Sequence, residues 1–195
     1  MSRAIEWGVV RSHPVVYAPN HLPKLARTER YLFKYWTPEP NPPKKHRQID
    51  RIYLHTAAHP TWTMEEVRDY HTRPADQGGR GYNDVAYHRG IERDGAVKYG
   101  RPDNVMPAAQ AGYNTGSMAV VLLGHGDQQE PTDEQWYAMV RVLAEMCVQY
   151  GLDPMQAVKG HREVNQGKTC PGKLVDMDRV RSDVAQLLDL LASTH

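Results

Sequence analysis

Apolar and polar positions alternate from Ile49 to Ala57 (IDRIYLHTA), with β-branched residues among them, which predicts a strand ending at His55. Thr63-x-x-Glu66 forms a capping box and predicts a helix running to about His71 and stopping before Pro74. The glycine-rich stretch Gln77 to Gly81 reads as loop. Asn83 to Gly100 predicts a hairpin: a strand over Val85 to Arg93, a turn at Asp94-Gly95 and a return strand over Ala96 to Tyr99. Met118 to Gly124 (MAVVLLG) is an unbroken apolar run, the pattern of a central strand covered on both faces.

Thr132-x-x-Gln135 reads as a second capping box. The helix it opens carries Trp136, Met139, Val140, Leu143, Cys147 and Tyr150 at helical spacing and ends at Gly151. Val158 to His161 predicts a short strand. The last helix, about Asp176 to Ala192, sets Val180, Val184, Leu187, Leu188 and Leu191 on one face. The fold class that follows is α/β: a single domain with a mixed central β-sheet covered by helices.

Residues 1–48 differ from the rest. They hold half of the fourteen prolines, and Thr37 to Lys45 (TPEPNPPKK) favours extended backbone. Two segments are therefore expected, a proline-rich N-terminal arm over 1–48 and a functional domain over 49–195. The aromatic cluster from Tyr31 to Trp36 is expected to anchor the arm on the domain.

Composition narrows the classes. The chain has 195 residues, 40% of them hydrophobic and 24% charged, with a formal net charge of +1. So balanced a charge argues against nucleic-acid binding, which rests on a basic excess. The longest apolar run, Met118 to Leu123, is far short of the roughly 20 residues a membrane span needs, so no membrane anchor is expected. Met1 to Val10 contains Glu6 and lacks the apolar core of a signal peptide. Two cysteines, Cys147 and Cys170, exclude a disulfide framework.

Three segments carry candidate chemistry. His55 ends a strand, His161 lies in Lys159-Gly160-His161-Arg162-Glu163, and Cys170 lies in Lys168-Thr169-Cys170-Pro171-Gly172. Two imidazoles and a thiolate suit Zn2+, and three protein ligands leave a fourth position for water. Spacing alone is a weak signal for such scattered residues. Cys147 sits on the apolar face of its helix, where a free cysteine is commonly core. His88 follows Tyr87 and is expected on the opposite face, in a structural role. His59, His71 and His125 lie in or near loops and read as plain polar residues.

The segments IYLHTAA, GYNDVAYHRGIERDGAVKYGR, AGYNTGSMAVVLLG, VKGHREV and KTCPG occur in that order. In this they resemble the zinc-dependent N-acetylmuramoyl-L-alanine amidases of the short phage lysozyme type and the related peptidoglycan recognition proteins, over about residues 49–190. The resemblance implies that His55, His161 and Cys170 are the zinc ligands, that Tyr87 lines the reaction centre and that Lys168 stands beside the cysteine. It implies a peptidoglycan glycopeptide as substrate, with Tyr87 and Lys168 stabilising the oxyanion. Either of the two could move the proton, Tyr87 being the first candidate. Non-catalytic relatives typically lose the cysteine, which this chain keeps.

One departure stands out. Where many members place a histidine shortly before the Gly-Tyr-Asn stretch, this chain has Gln110 ahead of Gly112-Tyr113-Asn114. Gln110 and Asn114 are the expected substrate contacts, although Asn114 serves equally well as a turn cap. Glu163 either orients a ligand histidine or faces solvent. The expected protein is a monomeric phage endolysin that waits in the host cytoplasm until lysis and then acts on the periplasmic wall. The alternatives are a cytosolic amidase recycling muropeptides and a non-catalytic peptidoglycan-binding module.

Overall fold

The computed structural model describes residues 48–193. The proline-rich stretch and the Tyr31 to Trp36 cluster lie outside the described residues. In chain order the elements are β1 (Arg51–Thr56), α1 (Met64–Thr72), β2 (Arg89–Ile91), β3 (Val97–Tyr99), β4 (Ser117–Leu122), α2 (Asp133–Tyr150), the single turn α3 (Pro154–Ala157), β5 (Val158–Gly160) and α4 (Met177–Ser193). One five-stranded sheet runs in the order β3-β2-β4-β1-β5. The pairs β1–β4, β1–β5 and β2–β4 are parallel, and β3 is antiparallel to β2 at the edge. The mixed sheet expected from the sequence is the one found.

Alternation along the strands divides the two faces. Ile52, Leu54, Met118, Val120 and Leu122 pack against α2 and α4 through Met139, Leu143, Val180 and Val184. Each such side chain contributes roughly 1.5–3 kcal/mol by leaving water. Trp136 of α2 donates from its indole to Asp183 of α4 at 2.8 Å, under the Arg179 guanidinium. On the other face Val121 and Leu123 meet Met64 and Val67 of α1, together with Val85. Among the described residues no helix is long and apolar enough to cross a membrane.

Two local expectations change. The strand predicted over Val85 to Arg93 is confined to Arg89–Ile91. Ahead of it the backbone is claimed by other partners: the Arg101 guanidinium donates to the Val85 carbonyl at 2.7 Å, and the Ala86 N–H donates to Nδ1 of His71 at 3.1 Å. The second capping box is half formed. Thr132 accepts from the Gln135 N–H at 3.1 Å, but the Gln135 amide instead donates to the carbonyls of Ile91 and Leu123, at 2.7 and 2.8 Å. Those strand-end carbonyls are buried and need a donor more than the solvated helix start does.

Candidate metal centre

Parallel pairing brings the two histidines together. β1 and β5 pair with Leu54 opposite Gly160, and the next residue of each strand is His55 and His161. Residues in register on parallel strands point to the same face, and the two rings lie 4.8 Å apart. Both stand at the carboxyl ends of their strands, where open α/β sheets gather their ligands. His161 starts a short 3-10 turn, His161–Glu163. Its entry is fixed by Glu163, which accepts from the Gly160 N–H at 3.0 Å and is clamped by Arg181 of α4 at 2.6 Å.

The third donor comes from the loop before α4. Cys170 is held by Arg162, whose N–H donates to the Cys170 carbonyl at 2.7 Å. The Arg162 guanidinium also reaches the carbonyls of Gly172 and Val175, at 2.7 and 2.9 Å. Asp127 accepts from the Thr169 hydroxyl and the Lys173 N–H, both at 2.7 Å. Gly126 and Gly172 pack backbone to backbone, and a Cβ on either would collide with the other segment. The loop thereby presents Sγ of Cys170 to the Thr56 N–H at 3.3 Å and to Nδ1 of His55 at 3.7 Å.

Ligand atoms of His55, His161 and Cys170 all lie within 4.8 Å of one another. Zinc–nitrogen bonds of about 2.0 Å and a zinc–sulfur bond of about 2.3 Å at a tetrahedral angle require a nitrogen–sulfur edge of about 3.5 Å. The 3.7 Å between His55 and Cys170 fits that edge. Burial, reinforced by the nearby His161 charge, lowers the His55 pKa to about 3. Burial and then the Lys168 charge lower that of His161. Burial raises the Cys170 thiol to about 11, against the Thr56 N–H and other nearby groups. Two neutral imidazoles with available lone pairs beside a half-buried thiol form a donor set without charge of its own, which suits a cation.

Around this cluster the other expected site residues fall differently. Tyr87 is half-buried with its ring 5.3 Å from that of His55. Burial, aided by the negative charge Cys170 can carry, pushes its phenol well above the ordinary range, so the hydroxyl is a donor at neutral pH. Lys168 is exposed two residues before Cys170, close enough for its charge to act on both His161 and Cys170. Asn114 takes the turn-capping role: its Oδ1 accepts from the N–H groups of Ala109 and Gln110, at 3.1 and 3.0 Å. Gln110 departs from its expected place on the substrate surface. It is only 2% exposed, and its Oε1 lies 2.9 Å from Nε2 of His55, behind the ring as seen from Cys170. The loop folds Gln110 inward because β1 leaves the Nε2 edge of His55 buried and in need of a partner.

His88 is structural as expected, accepting the Ala119 N–H on Nδ1 at 2.9 Å, with Nε2 against the Val105 carbonyl at 2.8 Å. His71 is buried, its Nδ1 accepting the Ala86 N–H. Cys147 and Cys170 are both free thiols, Cys147 deep in the core with its pKa raised by burial to about 12. Sequence reasoning missed Thr56, Gly126, Asp127 and Arg181, whose roles depend on contacts between distant segments. A glycine on each side of a tight crossing was the one readable signal.

The model of the family described as N-acetylmuramoyl-L-alanine amidase matches residues 45–173. The chain belongs to that family. By class it is a peptidoglycan amidase. It is 33% identical over 110 residues to peptidoglycan-recognition protein LB of Drosophila melanogaster, a match spanning 56% of this chain and 45% of that one. It is 32% identical to the endolysin of Klebsiella phage KP32, over 65% of this chain and 83% of the phage protein. Among solved structures, the amidase LysC from Clostridium intestinale superposes with a TM-score of 0.63 at 20% identity, covering 71% of this chain and 86% of that one.

Proposed function

We propose that the chain is a zinc-dependent amidase that hydrolyses the bond between the lactyl group of N-acetylmuramic acid and L-alanine, working as a phage endolysin. The observation that carries this reading is the convergence of His55, His161 and Cys170 within 4.8 Å in a chain of the amidase family. His55, His161 and Cys170 would hold the ion, which when bound supplies Lewis acidity and a lowered pKa for its water. The Tyr87 hydroxyl and the Lys168 ammonium then donate to the oxyanion growing on the scissile carbonyl. In this reading the same two groups hold or deliver the proton that the departing L-alanine amine requires, Tyr87 being the first candidate. The catalytic unit spans residues 49–195, with 1–48 as an appended arm. The substrate is the wall glycopeptide, reached from the host cytoplasm at lysis.

Incubation with purified sacculi tests this, with products identified by mass spectrometry. Free peptides beginning with L-alanine, lost on chelation and restored by zinc, are expected. Cleaved glycan or cleaved cross-links with the peptide still attached would overturn the reading. Activity on soluble muropeptides but not on sacculi would point to recycling, and zinc binding without turnover to a binding module.

A further inference from the structure

The hydrogen bonds behind His55 form a chain whose direction is set from its far end. The hydroxyl of Ser117 lies 2.9 Å from the backbone carbonyl of Asn114. That carbonyl only accepts, so the one hydroxyl proton of Ser117 is committed to it. Ser117 Oγ therefore accepts from its other neighbour, the side-chain amide nitrogen of Gln110, at 3.0 Å. The same amide nitrogen also faces the Tyr113 carbonyl at 3.5 Å, a second acceptor. With its N–H groups turned that way, Gln110 can present only Oε1 to His55, at 2.9 Å. Nε2 of His55 must then carry the proton. The lone pair is left on Nδ1, the nitrogen that lies 3.7 Å from Sγ of Cys170.

All three side chains are sealed from solvent: Ser117 is fully buried, His55 1% exposed and Gln110 2% exposed. Water cannot readily substitute for a member of the chain. Reversing one hydrogen bond would leave a buried donor facing a donor, or an acceptor facing an acceptor. Asn114 also fixes the loop geometry, since its Oδ1 binds the N–H of Gln110 at 3.0 Å.

We infer that Gln110, with its direction set by Ser117, is a positioning residue that holds His55 as the Nε2–H tautomer and aims the Nδ1 lone pair into the candidate metal centre. The inference rests on the reading of His55, His161 and Cys170 as metal ligands. Gln110 is buried behind the His55 ring and acts through it. Outer partners of this kind fix ring orientation and ligand basicity, and their loss costs about 10–100-fold in metal affinity. An amide is well suited to the place. Its acceptor and its donors lie on different atoms, so one anchored end settles the other.

Nitrogen-15 NMR of the histidine rings in the metal-free protein tests this directly, paired with zinc affinity from competition with a chromophoric chelator. In the unmodified protein His55 is expected as a single Nε2–H tautomer. In Gln110→Met a mixture of tautomers is expected, with zinc bound about 10–100-fold more weakly. An unchanged tautomer and unchanged zinc affinity in Gln110→Met, with only the melting temperature lowered, would make the residue merely structural and overturn the inference. Should Gln110→Met not fold, Gln110→Ala is read the same way: it removes the acceptor facing Nε2, and a His55 that stays wholly Nε2–H with unchanged zinc affinity overturns the inference. If the unmodified protein binds no zinc, the metal-centre reading fails, while the tautomer of His55 still reports on Gln110.

Discussion

Cys170 places its Sγ 3.7 Å from Nδ1 of His55, although 115 positions separate the two residues along the chain. The contact joins a strand end to a loop clamped by Arg162 and Asp127, and that clamp fixes the thiol beside the histidines. Cys170→Ala is expected to weaken zinc by more than about 100-fold, since even an outer partner costs about 10–100-fold. Metal content after dialysis and release of L-alanine peptides from sacculi should fall together. A Cys170→Ala protein that retains stoichiometric zinc would remove this residue from the centre.

Lys168 is expected to separate binding from turnover. It is exposed beside Cys170, and its charge acts on the centre without belonging to the ligand cluster. Lys168→Ala should therefore keep its zinc and its fold. Loss of a donor aimed at developing charge predicts a fall of about 100- to 1,000-fold in kcat. Parallel measurement of metal content and kcat checks it, and full activity in Lys168→Ala would remove the oxyanion role.

The site was legible where its information is local. The alternation of Ile49 to Ala57 places His55 at a strand end, and the capping box at Thr63 is found complete. The apolar run from Met118 marks the central strand, and Cys147 falls in the core as its helical spacing requires. What was illegible depends on which distant group a polar side chain finds. Gln135 has the spacing of a capping residue, yet two buried strand carbonyls compete for its amide and win. Gln110 looks like a pocket residue, but only the folded position of His55 shows that it turns inward. Asp127 lies 42 and 46 positions from its two partners, a pairing that periodicity does not encode.

The crossing of Gly126 over Gly172 should tolerate no side chain. A Cβ at Gly126 would meet the Pro171 carbonyl and the Gly172 backbone, neither of which can rotate away. Gly172 also sits at φ 119°, where an L side chain is strained. Gly126→Ala is expected to cost about 3 kcal/mol or more, the upper range for overpacking, and to weaken zinc by displacing Cys170. Gly112→Ala is the comparison. Gly112 has a positive φ of 82° but open space around it, so only the conformational cost of about 1–2 kcal/mol applies. Denaturant unfolding of both variants checks the difference, and equal losses would show that the crossing is not tight.

His71 should make the fold sensitive to acid. Its ring is 8% exposed, and Nδ1 accepts the Ala86 N–H at 3.1 Å, a bond that only the neutral ring can make. Burial, with the Arg80 and Arg101 charges adding to it, lowers its pKa from 6.5 to about 4. Between those values the unfolded chain binds the proton and the folded chain does not. Stability from this group is therefore complete above pH 6.5 and is lost as the pH falls towards 4, with a slope of about 1.4 kcal/mol per pH unit. Over the window that amounts to about 3 kcal/mol. In His71→Asn the side-chain oxygen can still accept the Ala86 N–H but does not titrate, so the slope between pH 4 and 6.5 should flatten by about one proton. Urea unfolding at several pH values measures it, and identical slopes in the two proteins would mean that His71 is not held neutral by the fold.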